Sequence, residues 1–93
     1  MQQAEEKEPV QLSVTDWEQV RSVEFDEVDP RTSIGELVFE AVQALGLPRG
    51  TMFLALWGER ELSLADSVAE VGLRSGEAIR LVPEVRAGAG SHA

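Results

Sequence analysis

Val10, Leu12 and Val14 alternate with Gln11, Ser13 and Thr15, the two-residue period of a strand that buries one face. Asp16-Trp17-Glu18 breaks the alternation and reads as a hairpin connection, although it lacks the glycine favoured in the tightest turns. A return strand is expected from about Val20. Within it Val23 and Phe25 share one face, whereas Val28 falls on the opposite parity. An inserted residue or a strand end is therefore expected at Asp26-Glu27.

After the turn Asp29-Pro30-Arg31-Thr32 the period changes. Ser33 and Glu36 have the spacing of a capping box, and Ile34, Leu37, Val38, Ala41, Val42 and Leu45 recur at three- and four-residue steps. This pattern predicts a helix over 33–45 with one apolar stripe. Gly46 can adopt the left-handed cap, Leu47 can fold back onto the helix, and Pro48 prevents continuation. In the apolar run Met52–Trp57, Leu54 and Leu56 are expected to face the core, with Phe53, Ala55 and Trp57 on the other side of the strand. The chain turns at Gly58-Glu59-Arg60 and returns through Leu62. The segment 67–73 suits a single helical turn, and a last strand carries Ile79 and Leu81 inward with Arg80 and Val82 outward, before Pro83 limits pairing.

Strands on either side of one amphipathic helix predict an α+β domain with a mixed sheet of about four to five strands and the helix packed across it. Ninety-three residues allow one domain, expected over 10–85. An acidic, aperiodic tail (1–9) and a small-residue tail (86–93) flank it. The net charge of −9, from 17 acids and eight bases, disfavours nucleic acid and suits basic protein partners. No apolar run is long enough to span a bilayer and no secretory signal is visible, so a cytoplasmic, non-membrane protein is expected. There is no cysteine, and the single histidine, His92, has no fixed neighbour to orient it. No metal site, cofactor site or catalytic residue is predicted, and the chain is not expected to be an enzyme.

The pieces Val10-Gln11-Leu12-Ser13-Val14, Thr32-Ser33-Ile34, Leu54-Ala55-Leu56-Trp57-Gly58, Ile79-Arg80-Leu81-Val82 and Val85-Arg86-Ala87-Gly88 together resemble ubiquitin, in ubiquitin's order and over almost all of 10–88. The resemblance implies a ubiquitin-like β-grasp. Two branches of that superfamily compete. Bacterial ubiquitin-like modifiers are joined to target amines through a C-terminal glycine. YukD-like proteins associated with secretion are similar in the closing strand Gly76-Glu77-Ala78-Ile79 and end there.

The modifier branch implies that the tail is trimmed by a protease to Gly88 or Gly90, adenylated by an activating enzyme and passed by a conjugating enzyme to target proteins. Arg86-Ala87-Gly88 is similar to ubiquitin's Arg-Gly-Gly end, with alanine replacing the first glycine and five residues following. Glu84 stands where ubiquitin carries a basic residue used in recognising its activating enzyme. Lys7 is the only lysine, so it and the N-terminal amine are the possible acceptors for chain building. The adaptor branch implies non-covalent action through the sheet's outer face. On the expected parity that face carries Phe53, Ala55, Trp57, Arg80 and Val82, with Trp17 beside them, and it would bind partner enzymes or a second copy. Arg86 is a further expected partner contact.

Overall fold

The structure is a computed structural model that describes residues 8–48 and 50–84. Lys7, Arg86, Gly88 and Gly90 lie outside the described residues, as do 1–7 of the expected N-terminal tail and all of the C-terminal one. Seven elements follow one another: β1 (Val10–Thr15), β2 (Ser22–Val28), α1 (Ile34–Leu45), β3 (Phe53–Trp57), β4 (Arg60–Leu62), α2 (Val68–Val71) and β5 (Glu77–Pro83). The strands form one mixed sheet in the order β2-β1-β5-β3-β4. β1 and β5 run parallel at its centre, and the other three pairings are antiparallel.

Local chemistry sets the turns as the sequence predicts. Leu12 pairs with Phe25 while Val10 pairs with Val28, so the bulge falls at Asp26-Glu27. Glu27 takes a left-handed φ of 60° to make it. The step returns Val28 to the buried face, where it is 8% exposed. Ser33 Oγ accepts from the Glu36 amide at 3.0 Å, satisfying one of the first-turn donors that a helix leaves unpaired. At the other end Gly46 has φ 71° and the Leu47 amide donates to the Val42 carbonyl at 2.9 Å, which ends α1 and returns Leu47 to the core. The single turn α2 carries a complete capping box between Ser67 and Glu70.

The hairpin between β1 and β2 does without glycine. Gln19 takes the left-handed conformation instead, with φ 59°, and Asp16 holds the loop from inside. Asp16 is the buried charged residue among those described; its Oδ1 accepts from the amides of Val20 at 2.9 Å and Arg21 at 3.4 Å. The Arg21 guanidinium lies 3.8 Å from the same carboxylate and donates to the Leu45 carbonyl at 3.0 Å. A cation is favourable at that end of a helix, where the carbonyls lack partners. One carboxylate thus fixes both the hairpin and the arginine that caps α1.

The core lies between α1 and the sheet. Leu12 and Val14 from β1, Ile79 and Leu81 from β5, Ala55 from β3 and Leu62 from β4 meet Ile34, Leu37, Ala41 and Leu45 from α1, with Val68 and Val71 closing one side.

Removing the Asp16 carboxylate leaves two loop amides without their acceptor and Arg21 without its counter-charge. Asp16→Ala is expected to lower unfolding free energy by about 2 kcal/mol, read as a lower urea midpoint. Arg21→Ala, whose side chain is mostly exposed, is expected to cost less than half of that.

Candidate protein-docking surface

Which face each side chain takes is fixed by cross-strand pairing, because directly opposed residues share a face. Leu81 is fully buried and pairs with Ala55, which in turn pairs with Leu62. Ala55 must therefore face inward, and it is 0% exposed. Leu54 pairs with Val82 and Leu56 with Arg80, so these four project from the opposite side of the sheet.

This reverses the parity expected for β3. Phe53 and Ala55 belong to the core and Trp57 packs against it, whereas Leu54 and Leu56 face outward. Every position from 52 to 57 is apolar, so alternation alone carries no preference there, and size favours burying leucine over alanine. The register with β5 overrides that preference. Arg80 and Val82 face outward as expected.

The two tryptophans also part company. Trp17 stacks on Phe53, with ring centroids 5.9 Å apart and planes at 27°. Trp57 stands at the other end of β3, where its Nε1 donates to Glu77 Oε1 at 2.9 Å. Trp57 is therefore part of the core's edge, whereas Trp17 keeps 36% of its surface exposed at the hairpin.

The outer face is organised in rows. Ser22, Thr15, Arg80, Leu56 and Glu61 form one complete row across all five strands. Val82 and Leu54 form the next row on the β5–β3 side, and Ser13 pairs with Ala78 on the other. The face therefore divides into a polar half on β2 and β1 and an apolar half on β5 and β3, with Arg80 at the boundary. A shallow depression of about 350 Å³ opens beside Arg80, floored in part by Thr15, Leu56 and Ala78. Among the described residues no carboxylate forms an ion pair with Arg80. An arginine beside small apolar side chains offers both charge-assisted hydrogen bonding and contact area to a partner.

No three His, Cys, Asp or Glu side chains converge on a point that could hold a metal among the described residues. No described helix is long and apolar enough to cross a membrane.

The closing strand and its neighbours match solved structures. A ubiquitin from Caldiarchaeum subterraneum superposes with a TM-score of 0.71 at 16% identity, covering 86% of this chain and 99% of that one. The fold is the ubiquitin-like β-grasp. A de novo protein designed on ubiquitin gives a TM-score of 0.70 at 21% identity, over 83% of this chain and 90% of the design. The ubiquitin-like domain of Plasmodium falciparum Dsk2 gives 0.68 at 13% identity, over 82% and 99%. The sequence matches no protein-family model and no curated protein at a significant level. Similarity at this level of identity concerns the β-grasp itself, so the functional reading rests on this chain's own residues.

The parity of β3 has a direct consequence for mutants. Trp57→Ala is expected to cost about 2 kcal/mol, since it removes partly buried aromatic packing and a hydrogen bond. Leu56→Ser, on the outer face, is expected to change stability by less than about 1 kcal/mol. Thermal melts of the two variants check the order.

Proposed function

We propose that this chain is a ubiquitin-like protein, without enzymatic activity of its own, that works by being recognised by other proteins on the outer face of its sheet. The observation that carries this reading is the arrangement of Leu54, Leu56 and Val82 around Arg80. These apolar side chains sit on the solvent side of the sheet, outside the core cluster. A face needed only for solubility has no use for a leucine pair there.

A photo-cross-linking residue at Leu56 is expected to give covalent adducts with other proteins in cells, while the same residue at exposed Glu70 on α2 gives few. Arg80→Glu in the Leu56 cross-linker background is expected to remove most of the adduct. Equal labelling from both positions would contradict the reading.

A conjugated modifier is a second form of the same function, favoured by Arg86-Ala87-Gly88 in the sequence. In it a protease trims the chain to Gly88 or Gly90, and the new carboxylate attacks the α-phosphorus of ATP on an activating enzyme, forming an acyl-adenylate and releasing pyrophosphate. A target amine then displaces AMP, directly or by way of a conjugating enzyme. The absence of a glycine side chain lets the terminus enter a narrow channel. The cytoplasm is the compartment that fits this chemistry. Intact-mass analysis from the native host is expected to show the shortened chain or its adducts on other proteins, lost on deletion from Ala87 onward. Because arginine is too basic to act as the attacking amine, Lys7→Arg with a blocked N-terminus is expected to retain single attachment and to abolish chains. Full-length protein alone, with function surviving the deletion, would leave the non-covalent adaptor.

A further inference from the structure

We propose that the helix side of the molecule carries a second docking surface, an open groove between the bulged end of β2 and the first half of α1, that takes a basic segment of another protein bearing at least one apolar side chain. This surface is separate from the outer sheet face, because α1 covers the opposite side of the sheet.

The groove encloses about 770 Å³. Its floor is apolar: Val28 and Leu37 are core residues, and Phe25 packs against them. Its wall is Phe39, which is 64% exposed. The core stripe of α1 is supplied by Ile34, Leu37, Val38, Ala41 and Leu45, so folding does not require a phenylalanine at position 39. Gly35, one turn before it, has no side chain to separate this groove from a second one of about 310 Å³. The second groove is bordered by Phe39, Met52 and Leu64, and the last two are also exposed. Phe39 thus stands at the centre of an apolar surface that runs across the helix.

Charge selects the occupant. Asp26 and Glu27, brought together by the bulge, face Glu36 and Glu40 on α1 across the groove. Among the described residues none of these four carboxylates forms an ion pair. Asp29 borders the same groove, but its carboxylate already has Arg31 Nε at 3.6 Å. A second copy of this chain would set one acidic rim against another in a protein of net charge −9. An anionic bilayer or nucleic acid is repelled for the same reason. A segment carrying arginine or lysine beside an apolar residue satisfies both the rim and the floor.

The test is an amide-shift titration of the full isotope-labelled chain with a short synthetic peptide of alternating arginine and leucine, and with its glutamate-leucine counterpart, at low salt. Shifts are expected from the arginine peptide alone, concentrated at 25–29 and 35–40. Phe39→Gln, and separately Glu36→Gln with Glu40→Gln, are each expected to weaken binding about tenfold. Because these positions are exposed and glutamine is a good helix former, the amide spectrum should otherwise be unchanged. Raising ionic strength to about 0.5 M should abolish most of the effect. Shifts centred on Leu54, Leu56 and Val82 would overturn this proposal while leaving the outer-face reading intact. Equal response to both peptides, or affinity unaltered by the substitutions, would also overturn it. So would concentration-dependent shifts around Phe39 without peptide, which would assign the surface to a second copy.

Discussion

The parallel pairing of the first strand with the last holds the molecule together. β1 and β5 lie side by side at the centre of the sheet, with Val14 opposite Ile79. Gln11 and Ser75, 64 positions apart in sequence, are joined by a hydrogen bond of 3.0 Å from the Gln11 amide to Ser75 Oγ. Beside it the Gly76 amide donates to the Gln11 carbonyl at 2.8 Å. Neither strand alone has an apolar partner large enough to bury its inward face. Together Leu12, Val14, Ile79 and Leu81 form a floor that is almost wholly inaccessible to water, onto which α1 can place its stripe. A pairing so distant in sequence carries a large loop-closure entropy cost, which the burial it creates must offset.

Once that central pair is in register, the remaining faces follow. β3 pairs with β5, so the inward direction of Leu81 is transmitted to Ala55 and then to Leu62. The outward direction of Arg80 is transmitted to Leu56 and Glu61 in the same way. The composition of the candidate docking surface is therefore a consequence of core packing. The start of α1 is tied in too: the amides of Ile34 and Gly35 donate to the carbonyls of Asp66 and Leu64 at 2.8 and 2.9 Å. A Cβ at Gly35 would come within 3.2 Å of that Leu64 carbonyl, so the close approach that satisfies the helix start also leaves the gap beside Phe39.

The fold was legible wherever one residue or one local period carries the information. The stripe of α1, its Ser33 cap, its Gly46-Leu47 stop and the bulge at Asp26-Glu27 all depend on near neighbours, and each stands in the structure where the sequence places it. The face of β3 was not legible, because its apolar run has no alternation and its parity is imposed by a strand more than twenty residues further on. The placement of Phe53 and Trp57 fails with it, because alternation puts both on the face of Ala55 and that face is the buried one. Phe39 carried a usable signal, being apolar within the polar face of an amphipathic helix. The acids of β2 that face it could be placed there only by the packing of α1 on the sheet.

The side of β3 that meets the solvent decides the docking face, and the methyl groups of β3 to β5 report it directly. A soluble paramagnetic agent should broaden the methyl resonances of Leu54, Leu56 and Val82 strongly, while sparing those of Ala55, Leu62 and Leu81. Strong broadening at Ala55 with Leu54 and Leu56 protected would contradict it, and would return the outer face to Phe53, Ala55 and Trp57.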